Sequence, residues 1–159
     1  MTVMLRCLVY LSLLGIGSFL LGRLVPKAWF RWERFPYRTF AWERQGSIYQ
    51  AIGIRRWQNR IPDMSRILPS VMPAKAITGR KTSAELERML QETCVAEWIH
   101  ALLGLLGFGC LWLWPGWGGV MAALLYLVGN LPFVLVQRYN RPRLRRLLER
   151  TKNRKEEVR

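Results

Sequence analysis

Residues 95–114 read Val-Ala-Glu-Trp-Ile-His-Ala-Leu-Leu-Gly-Leu-Leu-Gly-Phe-Gly-Cys-Leu-Trp-Leu-Trp, and this stretch decides the fold. No residue from Ile99 to Trp114 carries a formal charge at neutral pH. As an α-helix that rises 1.5 Å per residue, the stretch would be about 30 Å long, which is the thickness of the hydrocarbon core of a bilayer. The stretch therefore predicts a transmembrane helix.

A second apolar run, Gly118–Val136, follows after the short connection Pro115-Gly-Trp-Gly118. Because so short a connection reverses the chain, the two spans are predicted to form an antiparallel hairpin. With the turn near Gly116, residues whose numbers sum to about 232 should lie at the same depth. This register places Asn130 level with His100.

A third apolar run, Cys7–Gly22, lies between Arg6 and Arg23. A signal peptide is the alternative interpretation, but no small-x-small cleavage site follows the run. The flanking arginines can snorkel and lengthen the usable span, so we predict a retained transmembrane helix over about residues 5–25.

These runs predict an all-α membrane protein with about three transmembrane helices, in one integral membrane domain that covers residues 1–159. The spans lie at about residues 5–25, 95–114 and 118–136. The three cysteines show no ligand-like spacing, so they are expected to be small packing residues rather than metal or redox groups.

The net charge of +15 is concentrated outside the spans. Residues 24–94 carry thirteen Lys and Arg against six Asp and Glu, and residues 137–159 carry ten against three. The positive-inside rule therefore predicts a cytoplasmic region 26–94 and a basic cytoplasmic tail 137–159, with the amino terminus outside a multi-pass plasma-membrane protein. Because this charge is explained by the membrane, no nucleic-acid partner is expected.

Within the cytoplasmic region, residues 26–44 interleave aromatic side chains with arginines. Aromatic rings prefer the headgroup level, and cations near an anionic leaflet gain about 1 kcal/mol each. We expect amphipathic interfacial segments here, most simply an in-plane helix that Pro26 and Pro36 break into pieces. Such residues either anchor the protein or contribute directly to a ligand site.

Glu97 and the single histidine, His100, stand at the start of the second span. Ionisable groups at membrane depth are functional candidates because placing them there costs a few kcal/mol unless they are paired or wetted. The i, i+3 spacing puts both side chains on one helix face, with Glu92 one to two turns nearer the water. Asn130 is the other buried polar group within reach, either for the site or for a backbone carbonyl.

This set predicts acyl transfer by general-base catalysis. His100 would take the proton from an attacking hydroxyl, Glu97 would orient the imidazole, and Asn130 or an arginine would stabilise the oxyanion, with Glu92 as a further candidate. A metal site is the rival, since Glu-x-x-His forms half of a di-iron motif, but the other half is missing and no metal is expected. A purely structural histidine is the third alternative.

After the third span comes Gln137-Arg-Tyr-Asn-Arg-Pro-Arg-Leu-Arg-Arg146. It is either a basic stop anchor or a clamp for phosphate groups, such as those of coenzyme A or a lipid headgroup. The candidate substrate- and donor-binding residues are Gln137, Arg138, Tyr139, Asn140, Arg141 and Arg143. No bound cofactor is expected; the acyl donor is expected to be acyl-CoA.

Three strings carry a resemblance to a known family: Glu92-Thr-x-x-Ala-Glu97-x-Ile-His100, Asn130-x-Pro132, and Val136-Gln-Arg-Tyr-Asn-Arg-Pro-Arg-Leu144. The chain resembles the glycosyl-4,4′-diaponeurosporenoate acyltransferases of staphyloxanthin-type carotenoid biosynthesis. The resemblance implies transfer of a fatty acyl group to the C6 hydroxyl of the glucose of a carotenoid glycoside. The implied partners are the bilayer, the glycosylated carotenoid acceptor and the fatty acyl donor. A homodimer, or contact with other pigment-pathway enzymes, stays open. The alternatives are an acyltransferase for another glycolipid and a non-enzymatic scaffold that binds lipid.

Overall fold

The computed structural model describes residues 2–61 and 81–157. Six α-helices occupy these residues: α1 (Val3–Leu24), α2 (Ser47–Ala51), α3 (Ile54–Trp57), α4 (Ser83–Leu106), α5 (Cys110–Leu113) and α6 (Trp117–Glu157). Short 3₁₀ turns lie at Lys27–Trp29, Ala41–Gly46, Gln58–Arg60 and Gly107–Gly109. No strand occurs in the ranges described, which confirms the all-α prediction.

Three helical segments are long and apolar enough to cross a membrane: Val3–Leu24, Ser83–Leu113 and Trp117–Arg154. They confirm the three predicted spans. Two of the helices extend well beyond the apolar runs. Helix α4 begins at Ser83, where Thr82 and Glu85 form a capping box. The Glu85 amide donates to Thr82 Oγ1 at 3.2 Å, and Glu85 Oε2 accepts from the Thr82 amide at 2.8 Å.

The contacts group the chain into two compact units. Unit 1 comprises Met1–Pro26 and Val95–Leu135, and unit 2 comprises Lys27–Cys94 and Val136–Arg159. The unit boundaries follow the predicted limits of the spans closely. One domain over residues 1–159 stays a prediction, and residues 62–80 of the predicted interfacial region lie outside the described residues.

In unit 1, α1 packs on the segment that follows α4. Cys7, Cys110 and Ala123 form a buried cluster, and both cysteines are free thiols. A Cβ on Gly109 would lie 2.3 Å from the Tyr10 hydroxyl oxygen, so only glycine admits the ring there. The helix tightens to a 3₁₀ turn at this point, and the Tyr10 hydroxyl donates to the Leu106 carbonyl at 2.7 Å. The side chain thus satisfies a carbonyl that the change of helix type releases.

Within unit 1, the second and third spans run antiparallel and approach closely. A Cβ on Gly107 of the second span would lie 2.7 Å from Tyr126 Cδ1 on α6. Glycine at this position therefore lets the two helices come together, as small residues do at helix interfaces in membranes. The contact matches the predicted register within a residue or two.

In unit 2, Leu86 and Leu90 of α4 pack against Leu144 and Leu148 of α6. The segment after Pro26 differs from the expected in-plane helix. It forms turns, and its next α-helix begins at Ser47. The carbonyls of Pro36 and Tyr37 accept hydrogen bonds from Arg138 and Arg141, so arginine side chains satisfy them where no helical backbone does.

Several large aromatic side chains of this segment remain exposed, as an interfacial role requires. They are Trp29 and Phe35, each 76% exposed, and Trp42, 58% exposed.

Candidate functional site

The central contact of unit 1 joins His100 on α4 to Asn130 on α6. His100 Nδ1 and Asn130 Oδ1 are 2.9 Å apart. Asn130 is buried and His100 is half-buried. The hairpin register had placed these two residues at the same depth, and the structure brings their side chains into direct hydrogen bonding.

A second hydrogen bond fixes which atom of the Asn130 amide faces the histidine. Asn130 Nδ2 donates to the Tyr126 carbonyl at 2.8 Å, one turn earlier on α6. A carbonyl only accepts, so the amide nitrogen must point to Tyr126 and the amide oxygen to His100. His100 Nδ1 therefore carries the hydrogen, and in a neutral imidazole the lone pair lies on Nε2.

Phe133 packs against one face of the His100 imidazole. Its ring stacks on the His100 imidazole with a centroid distance of 4.3 Å and an interplanar angle of 10°. Phe133 is not among the residues predicted from the sequence. The pattern that could have identified Phe133 is its i, i+3 spacing from Asn130, which puts both side chains on one face of α6. The imidazole is thus held at Nδ1 by an amide and on one face by a ring.

Glu97 is buried, with 7% of its surface exposed, three residues before His100 on α4. The sequence predicted that Glu97 orients the imidazole and that Asn130 contacts the oxyanion. In the structure, Asn130 Oδ1 forms the hydrogen bond to His100 Nδ1, and the catalytic role of Asn130 stays a prediction. A role for Glu97 beside His100 stays a prediction.

Glu92, the fourth predicted catalytic residue, belongs to unit 2. Its carboxylate forms ion pairs with Lys27 and with Arg88, the latter at 3.3 Å. Two cations therefore balance its charge. The sequence had no means to anticipate Lys27, which lies 65 residues earlier in the chain.

Three of the predicted donor-binding residues support the fold of unit 2. Arg138 Nη1 lies 3.0 Å from the Glu43 carboxylate, which is 1% exposed and also accepts a hydrogen bond from the Tyr49 hydroxyl. Arg141 is 3% exposed, and its Nε donates to Thr93 Oγ1 at 3.0 Å. Tyr139 is 1% exposed, and its hydroxyl accepts from Arg55.

The other three predicted residues, Gln137, Asn140 and Arg143, line a cavity of about 460 Å³ in unit 2. The cavity lies between α4 and α6 of this unit and includes two further arginines, Arg146 and Arg150. Among the residues that the structure describes, no group of three or more His, Cys, Asp or Glu side chains is arranged as a metal site.

Comparison with known proteins identifies relatives of this chain. The model of the family described as glycosyl-4,4′-diaponeurosporenoate acyltransferase matches residues 26–150, which include every candidate residue above. The enzyme of that name from Staphylococcus aureus strain USA300 is 28% identical over 153 residues, covering 94% of this chain and 90% of its own. The enzyme from strain Newman is 28% identical over 145 residues, covering 89% and 86%.

No solved structure matches. The family match extends over most of the chain, and the curated relatives are covered over most of their own length. The chain therefore belongs to the glycosyl-4,4′-diaponeurosporenoate acyltransferase family and is an acyltransferase.

Proposed function

We propose that this chain transfers a fatty acyl group from a thioester to the C6 hydroxyl of the glucose of a glycosylated carotenoid. The names of the relatives support the acceptor class. The observation that carries the mechanism is the hydrogen bond between His100 Nδ1 and Asn130, because it places the hydrogen of the neutral imidazole on Nδ1 and the basic lone pair on Nε2.

In the proposed step, His100 Nε2 takes the proton of the hydroxyl as its oxygen attacks the thioester carbonyl carbon. A carbon–oxygen bond forms, and the carbonyl oxygen becomes an oxyanion. When this intermediate collapses, the carbon–sulfur bond breaks and the imidazolium returns its proton to the leaving thiolate. Products are the ester and a free thiol, and the histidine ends the cycle neutral.

The neighbouring side chains have distinct tasks in this scheme. Asn130 and Phe133 hold the ring, and the Glu97 carboxylate on the same helix face favours the transient imidazolium. The oxyanion is stabilised either by the second amide hydrogen of Asn130, which neither of its two bonds uses, or by an arginine.

The proposal includes an acyl-CoA donor and a setting in the plasma membrane, with the amino terminus outside and the basic tail in the cytoplasm. The charge distribution supports this orientation, since the excess of Lys and Arg lies in residues 24–94 and 137–159. A rigid carotenoid and an acyl chain would both partition into the bilayer, so a membrane enzyme can meet both substrates there.

Mass spectrometry of pigments from cells that make glycosyl-4,4′-diaponeurosporenoate tests the proposal. Such cells would carry the intact chain, His100→Gln, or Gly15→Ala as a matched control at a position with open space around it. We expect a species heavier than the glucoside by one fatty acyl group with the intact chain and the control. With His100→Gln it should fall by about 10²–10⁴-fold while the protein remains in the membrane.

If another glycolipid is acylated instead, the proposed acceptor is wrong and the proposed mechanism still applies. Equal product with His100→Gln would overturn the histidine mechanism. Fragmentation of the product, which locates the ester on the sugar, tests the C6 position.

A further inference from the structure

The arginines of the basic stretch fall into two sets with different surroundings. Arg138 and Arg141 direct their guanidinium groups into unit 2, toward Glu43, Thr93 and backbone carbonyls. Removing Arg138 would take the cation from the buried Glu43 carboxylate, and removing Arg141 would break the hydrogen bonds to Thr93 Oγ1 and the Tyr37 carbonyl. Neither guanidinium is therefore suited to exchange partners with a ligand at each turnover.

The second set comprises Arg143, Arg146 and Arg150, which all line the 460 Å³ cavity. Their i, i+3, i+7 spacing places them on one face of α6. Arg143 stacks over the Tyr139 ring at 4.3 Å, and Arg146 makes only a 3.4 Å contact with the Gln45 carbonyl. In the described part of the chain, none of the three forms an ion pair with a carboxylate.

One carboxylate, Glu92, also lines the cavity, but Lys27 and Arg88 balance its charge. The cavity therefore keeps a net positive charge supplied by planar guanidinium donors. Such donors bind phosphate oxygens in pairs, which favours a ligand with several phosphate oxygens over a single carboxylate.

The rest of the lining is partly apolar, from Met89, Leu144 and Leu147, and partly polar, from Thr93, Gln137 and Asn140. Its volume lies within the range of about 300–1,000 Å³ that is usual for small-molecule sites. A partly apolar lining beside a row of arginines suits a flat base that carries phosphate groups.

We infer that this cavity binds the phosphorylated nucleotide end of coenzyme A, with Arg143, Arg146 and Arg150 as the phosphate ligands. The inference rests on the proposed function, because it names the site of that reaction's donor. It adds Arg146 and Arg150 to the donor residues, and it assigns Arg138 and Arg141 to support of the fold. An anionic lipid headgroup offers the same phosphate chemistry, so the two sources must be separated by experiment.

The test is equilibrium binding of coenzyme A to the full-length protein in nanodiscs of zwitterionic phosphatidylcholine. The variants are Arg146→Gln with Arg150→Gln, and Arg154→Gln as a control that removes a charge from the same helix outside the cavity. We expect Kd to rise about tenfold or more in the double variant and to stay within about twofold in the control. Coenzyme A without its 3′-phosphate should also bind more weakly to the intact protein.

Equal Kd values in all variants would overturn the inference. A second arm adds phosphatidylglycerol to the nanodiscs. If the intact protein binds this lipid but not coenzyme A, and the double variant loses the lipid, the cavity is a headgroup site and the inference fails. Binding is measured without an acceptor. If the Arg146→Gln, Arg150→Gln variant loses coenzyme A binding but still transfers acyl groups, the cavity is not the donor site and only this inference fails. If His100→Gln loses transfer but still binds coenzyme A, the inference is supported.

Discussion

His100 Nδ1 and Asn130 Oδ1 lie 2.9 Å apart, although thirty residues separate them along the chain. This hydrogen bond links the second span to the third at the end of the hairpin away from its turn. It also decides which imidazole nitrogen carries the hydrogen in the neutral ring, because the Asn130 amide is itself anchored on the Tyr126 carbonyl. The Asn130 side chain thus both links the two helices and determines which nitrogen of His100 carries the hydrogen.

The imidazole tautomer can be observed directly. Because the chain has a single histidine, ¹⁵N-histidine labelling reports on His100 alone. We expect the neutral ring to carry its hydrogen on Nδ1, and we expect Asn130→Ala to populate both tautomers. Gly129→Ala, at a position with open space, is the control and should leave the spectrum unchanged. A hydrogen on Nε2 in the intact protein would contradict the assignment.

Loss of the Asn130 bond should also slow catalysis without abolishing it. One hydrogen bond contributes about 1–1.5 kcal/mol, which corresponds to roughly a tenfold fall in kcat for Asn130→Ala. This is less than the loss expected for His100→Gln, because the base itself remains. Kinetics in nanodiscs would measure both variants. An unchanged kcat would show that Asn130 has no positioning role.

Phe133 is expected to act by holding the face of the imidazole. Phe133→Leu removes the stacked ring and leaves an apolar side chain, so kcat should fall while coenzyme A binding is unchanged. Phe133→Tyr keeps an aromatic ring and should recover most of the rate. If Leu and Tyr behave alike in steady-state kinetics, stacking contributes nothing to the reaction.

Gly107→Ala should destabilise the hairpin. The new Cβ would lie 2.7 Å from Tyr126 Cδ1, and relieving such an overlap costs about 1–3 kcal/mol. Gly129→Ala has open space at its Cβ and should be neutral or slightly stabilising, because alanine favours helix. Thermal unfolding in detergent would compare them. Equal melting temperatures would show that the helices can separate at Gly107 without cost.

The buried pair of Glu43 and Arg138 should matter far more than an exposed pair of the same chemistry. Arg138→Ala leaves a nearly inaccessible carboxylate without its cation, a change that costs about 3–5 kcal/mol in comparable buried pairs. Arg145→Ala breaks an exposed pair with Glu149 and should cost less than about 1 kcal/mol. Denaturant titration of both variants provides the comparison, and similar losses would contradict the ranking.

The sequence predicted the spans and the hairpin register because both depend on local quantities: the length of apolar runs and a very short connection. That register was sufficient to place Asn130 beside His100. The register could not give the orientation of the Asn130 amide, since that depends on a carbonyl of its own helix.

The arginines could not be sorted from the sequence for a related reason. Glu43 lies in a turn where Arg44 and Gln45 have φ angles of 46° and 56°, a left-handed backbone that non-glycine residues rarely adopt. No periodic pattern marks such a segment, so nothing in the sequence indicated that its carboxylate would pair with Arg138. From the sequence alone, Arg138 and Arg143 cannot be distinguished, because only the folded turn around Glu43 shows which arginine pairs with it.

The Glu43–Arg138 pair also has a consequence for synthesis at the ribosome. The two residues are 95 positions apart, so Glu43 leaves the ribosome long before its partner is translated. During that interval the segment around Glu43 lacks the guanidinium that completes its fold. The buried contacts of the turns after the first span are therefore complete only once the last span has been made.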